Sequence, residues 1–414
     1  LVAAAAVLVA SVVSVGVAGA TPTPSVWPQV GFDAAHTNSN PYETTLSAAN
    51  VSGLVPKWRV QDNANPNDLL LPTDGTPIVS DGKVFVAGGD QVQAMSEATG
   101  AQMWTFTTPE IDEMADPVVA NGIVYVTDGG FLYALNEQSG AVKWSRLVQE
   151  NTGLVYANGV IYTWPMPFGA PAPPMGAYDA ATGAQLWTAT VGDPLGPPAV
   201  ADGEVFAVDQ ENGQVLNVLS ASTGKPLWSK IIGEQTNAAP VVSGSTVIIT
   251  GIYAHQWAFN VTSGSLIWKK TLAGPASRGM TWFAPAVYNG TLFQTIEYAC
   301  NKADRLGTRV TARRLSTGAQ EWTHVYENLH CTKSDLIGGG PRSPAIANGL
   351  VYVAAMNAQK ISIFTTAGKP VSGLSPSEYV IGGPIVADGH VFINSRDPSH
   401  PASTGTEFVQ AFGL

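Results

Sequence analysis

The chain has 414 residues, 45% of them hydrophobic and only 12% charged, and carries a formal net charge of −11. That acidic balance provides no basic stripe, which excludes a nucleic-acid groove, and the two cysteines, Cys300 and Cys331, form no C-x-x-C, which excludes a zinc knuckle, a thioredoxin-like site and covalent c-type haem. The 43 glycines and 29 prolines point instead to a chain full of turns.

The first 20 residues, LVAAAAVLVASVVSVGVAGA, are small, apolar and uncharged. Ala18-Gly19-Ala20 followed by TPTPS reads as the end of a secretory signal, which places the mature protein outside the cytoplasm, secreted or periplasmic. The competing reading is an uncleaved anchor, since a run of about 18 apolar residues can cross a bilayer. No later segment is apolar for long enough to span. Residues 21–54 read as a lead-in, and the domain proper occupies 55–414.

From Val55 the chain repeats itself. VPKWRV has the character of an outer strand. A Pro-centred apolar run ending in Asp-Gly or Asn-Gly then recurs as PIVSDG (Pro77), PVVANG (Pro117), PAVADG (Pro198), PAVYNG (Pro285), PAIANG (Pro344) and PIVADG (Pro384). LVYANG from Leu154 and PVVSGS from Pro240 are looser copies, making eight at a period of about 40 residues. Each unit resolves into four short strands, as in TPIVSDG, KVFVAGG, QVQAMSEATG and AQMWTF. Asp-Gly and Asn-Gly are type I′ hairpin signals, because both turn residues need positive φ. The second strands (VFVAG, VYVTD, VFAVD, VIIT) are apolar on both faces, as strands are when their sheet is packed between two others.

Four strands per unit, eight units over, predict an all-β fold: an eight-bladed β-propeller of four-stranded antiparallel blades. The last unit has only three strands, PIVADG, HVFINS and EFVQAFGL. VPKWRV at the front is predicted to complete it, closing the ring and removing the open edges. On this reading a chain cut just before Lys57 stays soluble, and one cut through Val60 aggregates. Trp58, Trp104, Trp144, Trp187, Trp228, Trp268 and Trp322 all fall in the fourth strand. There an indole ring can fill the gap between blades and its N–H can reach a backbone carbonyl. The seventh unit has Ser372 instead, which predicts the weakest joint.

In a propeller the first-to-second and third-to-fourth turns share one face, and here they are short. The other face takes the second-to-third loops and the blade connections, and it holds every long segment: 61–74, 108–116, 164–176, 273–282, 300–307, 327–340 and 395–405. Binding tends to live on long loops carried by a rigid scaffold. The sixth unit is the longest and contains both cysteines, in segments assigned to that same face. A Cys300–Cys331 disulfide suits an exported protein; two free thiols are the alternative. The six histidines show no metal-ligand spacing, and there is no G-x-S-x-G elbow and no Walker loop.

The alternation of Ala/Leu, Asp/Asn, Thr-Gly and Trp, repeated around the chain, resembles the tryptophan-docking repeat of quinoprotein-type (pyrroloquinoline quinone, PQQ) β-propellers. WPQVGFDAAHTNSNPYETTLSAANVSGLVPKW also looks like the lead-in of that superfamily, so the resemblance spans about residues 27 to 414. It implies one of two functions. One is a PQQ- and calcium-dependent dehydrogenase for alcohols or aldose sugars. The other is a non-catalytic module like the propeller subunit of the outer-membrane β-barrel assembly machinery. The adjacent cysteine pair that lies over the quinone in the alcohol dehydrogenases is absent, and a cytochrome domain to receive electrons is not expected. Trp282, Arg342 and Asp116 lie where first strands begin, and are the residues that could meet an axial cofactor, Arg342 by pairing with a quinone carboxylate. Packing for Trp282 and rim charges for the other two are the simpler reading. The expectation is therefore a monomeric scaffold that binds a protein, peptide or envelope component on its long-loop face, without a nucleic acid and without a required cofactor.

Overall fold

The computed structural model describes residues 26–61, 76–108, 114–165, 174–192, 196–209, 214–272, 283–299, 306–326, 342–355, 359–397 and 406–414. Within them the chain forms eight antiparallel four-stranded blades, and the single helical element is a 3-10 turn, Val51–Gly53. Blade one is Ile78–Ser80, Lys83–Gly88, Gln91–Ser96 and Gln102–Thr107. Blades two and three are joined through one long strand, Val142–Ala157, which is the outer strand of the former and the inner strand of the latter. Blade eight takes Ile385–Ala387, His390–Arg396 and Glu407–Gly413 from the C-terminus. Its fourth strand is Val55–Gln61, paired antiparallel so that Trp58 faces Ala411.

The hairpin chemistry follows the residues. Asp81-Gly82, Asn121-Gly122, Asn158-Gly159, Asp202-Gly203, Asn289-Gly290, Asn348-Gly349 and Asp388-Gly389 all have positive φ at both positions. In the looser fifth copy only Gly244 does.

A rung of side chains runs outward across each blade. In blade one it is Ile78, Phe85, Ala94 and Trp104, each registered on the next. Ala94 is small and fully buried, and Phe85 and Trp104 approach to 5.8 Å between ring centroids across it. The same order recurs as Tyr125, Ala134, Trp144; Tyr162, Ala177, Trp187; Phe293, Ala312, Trp322; and Phe392, Ala411, Trp58. A β-bulge beside each outer-strand tryptophan turns that strand. In blade seven the rung reads Tyr352, Ile363, Ser372: the alanine has become isoleucine where the tryptophan has become serine. The Val51–Gly53 turn packs against that outer strand, Pro370–Leu374, and buries Val51 there. The joint without a tryptophan is thus filled from two sides.

The segment before the closing strand passes through the centre of the ring. Its backbone carbonyls accept N–H groups from successive inner strands: Trp27 from Val79 (3.0 Å), Pro28 from Val119 (2.8 Å), Ala34 from Val200 (2.7 Å), Ala35 from Val242 (2.9 Å), Thr37 from Val287 (2.9 Å) and Asn38 from Ile346 (2.9 Å). Those are blades one, two, four, five, six and seven in order. The Gln29 side chain serves blade three by pairing with the Tyr156 backbone, and the Asn40 side chain donates to the Val386 carbonyl in blade eight. The segment then leaves past the blade-seven and blade-eight hairpins, where Glu43 accepts the Gly389 N–H and Asn348 donates to the Leu46 carbonyl. It therefore closes the axis on the short-turn side. Turning inside the ring so tightly requires left-handed backbone at Gly31, Phe32, His36 and Asn38, and a Cβ on Gly31 would meet His36 at 2.7 Å.

Candidate functional site

With the short-turn end of the axis filled, a ligand on the axis must approach from the long-loop face. The residues at that mouth are those just before each inner strand, and most are small: Thr76, Asp116, Ala239, Ala284, Ser343 and Gly383. Asp116 begins blade two. Its Oδ1 accepts the backbone N–H of Thr76 in blade one at 2.7 Å, and burial raises its carboxyl to about 6 against the opposing effect of that bond.

Arg342 begins blade seven and is only 6% exposed. Its guanidinium lies 4.6 Å from the ring centre of Phe283, the corresponding residue of blade six, in cation–π contact. Burial first, and then nearby Arg396, lower its pKa to about 9, with Glu407 opposing. Glu407 is also the ion-pair partner of Arg396. The backbone around Arg342 is held by a buried polar chain. Gln256 of blade five donates to Thr250 and Gln294 (both 3.2 Å), Gln294 of blade six donates to the Phe283 carbonyl (3.1 Å), and Thr295 donates to the Arg342 carbonyl (2.8 Å). Sequence reasoning passed over these residues. Their signal was present, because Thr250 at the end of the second strand of blade five, and Gln294 and Thr295 inside that of blade six, are polar where blade one has Val86 and Ala87.

Asp116 and Arg342 stand three blades apart around the ring, and neither figures among the charges that shift the other. Trp282, Cys300 and Cys331 lie outside the described residues. Calcium takes about six to eight oxygen ligands. Among the described residues no group of three His, Cys, Asp or Glu side chains is placed to hold a metal ion. The described residues thus bring no such carboxylate cluster to the axis.

The tryptophans face the next blade. Indole N–H groups donate across the joint from Trp58 to Glu97 O (2.7 Å), Trp104 to Glu137 O (3.0 Å), Trp187 to Ala221 O (2.9 Å), Trp228 to Val261 O (2.8 Å), Trp268 to Leu315 O (2.7 Å) and Trp322 to Thr366 O (2.9 Å). Each ring lies on the glycine of the neighbouring turn: a Cβ on Gly140 would stand 2.6 Å from Trp104. Trp144 packs on Gly183 likewise, but its N–H has no partner, because the Tyr125 hydroxyl takes the Ala180 carbonyl at 2.9 Å.

A family model described as outer membrane protein assembly factor BamB matches residues 44–161 and 175–405. The chain belongs to this PQQ-like β-propeller family. Among solved structures, a europium-containing methanol dehydrogenase superposes on the propeller with a TM-score of 0.73 at 13% identity, over 94% of this chain and 98% of that one. The quinohemoprotein alcohol dehydrogenase from Comamonas testosteroni gives 0.73 at 15%, over 96% and 81%. BamB from Moraxella catarrhalis gives 0.62 at 14%, over 87% and 98%. At such identities the likeness is one of fold, and fold alone does not assign a function. No curated protein sequence matches the chain. Among the described residues no helix is long and apolar enough to cross a membrane.

Proposed function

We propose that this PQQ-like propeller is an exported binding or scaffolding module, holding a protein, peptide or envelope component on its long-loop face. The observation that carries the reading is the dispersal of the axial polar groups: Asp116 is tied to blade one and Arg342 is stacked on Phe283, three blades away. A catalytic constellation needs such groups to converge on one reacting atom. The name of the matching family, an assembly factor, points the same way. Export rests on the first 20 residues acting as a secretory signal, so the mature protein should begin at Thr21 when its N-terminus is sequenced.

The deciding experiment is a thermal melt with and without PQQ and calcium, followed by dye reduction with alcohols and aldose sugars. Ligand binding to the folded state must raise the melting temperature by mass action. A flat melt without turnover is the expected result. A rise of several degrees with dye turnover would overturn the reading and make the protein a PQQ- and calcium-dependent dehydrogenase. Photo-crosslinkers at Gln235, on the long-loop side, and at Ser222, on the short-turn side, then locate the partner. Capture should come from Gln235 alone.

A further inference from the structure

The charge of this acidic protein is unevenly distributed. The third and fourth strands of blades four and five, with the turns between them, cover residues 215–231 and 255–271, and contain no Asp or Glu. They carry four lysines: Lys225, Lys230, Lys269 and Lys270. Among the described residues none of the four has a carboxylate near enough for an ion pair. Four arginines on other blades are engaged: Arg59 with Glu378 (2.8 Å), Arg314 with Glu321 (3.5 Å), Arg396 with Glu407, and Arg146 with the Gly183 carbonyl (2.8 Å). The nearest acid in sequence, Glu234, is occupied by His255 (2.6 Å) and the Tyr253 N–H (2.8 Å).

Lysines on outer strands have an ordinary purpose, which is to stop sheet edges from pairing with other edges. That purpose does not call for aliphatic side chains in water. Yet Ile231 is 75% exposed, and Leu227, Leu266 and Ile267 are each more than 40% exposed on the same two strands. Lys269 holds its ammonium 4.7 Å from the Trp257 ring centre in cation–π contact, and the Lys270 stem packs against Gly318, so both cations sit on an apolar base.

We infer that the outer rim of blades four and five is a docking surface for an anionic lipid bilayer. Basic and aliphatic side chains interleaved on one surface are the chemistry that seats a protein in a negatively charged headgroup layer. The rim is convex, and each strand edge runs about 20 Å. A convex edge with projecting aliphatics offers no groove to a peptide, whereas a fluid lipid surface adapts to it. Contact through the rim would leave the long-loop face free, so the inference does not rest on the proposed function.

The test is co-sedimentation of the full chain with phosphatidylglycerol–phosphatidylcholine vesicles and with pure phosphatidylcholine vesicles. The difference between the two isolates the lysine contribution from any insertion by the apolar N-terminal residues, which is indifferent to headgroup charge. Binding to the anionic vesicles should exceed that to the neutral ones and should fall with added salt. Each lysine contributes about fivefold near such a surface. Lys230→Glu with Lys270→Glu should therefore lower partitioning at least 25-fold by this reckoning. Leu227→Ser with Ile231→Ser should weaken it at unchanged charge. Lys143→Glu, on the rim of blade two, should have little effect. Equal binding to both vesicle types, or equal loss from Lys143→Glu and from the blade-four and blade-five reversals, would overturn the inference. So would capture of a polyglutamate peptide by the same lysines without vesicle binding, which would make the rim a protein interface. Circular dichroism of each variant separates lost binding from lost fold.

Discussion

Glu97 occupies a place where blades three to six put hydrocarbon. It follows the third strand of blade one, as Ala180, Ala221, Val261 and Leu315 do in blades three to six, and its backbone makes the same turn. The side chain is 4% exposed and its Oε1 has no partner. Burial, reinforced by Asp388 and Glu43, raises its carboxyl to about 8. Because the folded value lies above the unfolded one, the group binds a proton more tightly in the native state, and the associated stability is lost as pH rises from about 4.5 to 8. Glu97→Leu should thus stabilise by about 1–3 kcal/mol at pH 8.5 and by less at pH 5. Urea unfolding at the two pH values measures this, and a gain that does not depend on pH would mean the carboxyl is ionised and satisfied. His36 works in the opposite sense. Burial in the axial segment lowers it to about 4, while its Nδ1 donates to the Pro240 carbonyl at 3.3 Å. The unfolded chain then takes up the proton first, so this contribution to stability is lost as pH falls from about 6.5 to 4. The His36 imidazole resonance should stay flat from pH 8 to 5, and a titration inside that range would show the ring to be hydrated. The tryptophans give a graded comparison. Trp228→Phe removes an indole bond and leaves the Val261 carbonyl without that donor, whereas Trp144→Phe removes none. The former should cost about 1 kcal/mol more, read as the difference in unfolding free energy.

At the scale of the element, what could be read in advance was whatever repeats. Asp-Gly or Asn-Gly turns and fourth-strand tryptophans each recur seven times, and doubly apolar second strands several times, so chance was averaged out and the closing strand at Val55 could be placed on character alone. Residues 26–43 occur once and have neither a strand period nor a helical one. Their work is done mainly by backbone carbonyls, which leave no mark on residue choice, and a segment that reads as a lead-in is in fact the axle of the ring. Ile363 was hidden for a related reason: its meaning lies in alanine being absent from one rung, visible only once the register is known. The axial segment also changes what a truncation should do. A chain cut before Lys57 keeps most of the closing strand but loses carbonyl partners for Val79, Val119, Val200, Val242, Val287 and Ile346. Each buried N–H left unpaired costs about 1–3 kcal/mol, and together the six are comparable to the whole stability of an ordinary domain. That chain should aggregate rather than remain soluble. A synthetic peptide of residues 26–54 added during refolding should restore soluble, monomeric protein, as judged by size-exclusion chromatography. Full solubility without the peptide would show the inner strands to be self-sufficient.

Considered whole, the eight described blades form a repeat array closed into a ring. Linear repeat arrays fray from their termini because an end repeat has one neighbour. Here the ring is tied at two radii. On the outside, Val55–Gln61 pairs with Glu407–Gly413 and Trp58 reaches across to the Glu97 carbonyl of blade one. On the inside, one segment collects hydrogen bonds from each blade in turn. Opening any single joint must break an outer contact and stretch the inner one, so the blades are expected to open together. Hydrogen exchange can see this directly. The inner-strand amides of Val79, Val200 and Ile346 should exchange at one common, slow rate although they lie in blades one, four and seven. Trp58→Ala removes the outer tie at the joint between last and first blades, with a loss of about 3–5 kcal/mol. If the inner segment couples the ring, protection should then fall by the same factor at all three amides. If it falls at Val79 alone, the blades open one at a time, and the axial segment fills space without binding the ring into one unit.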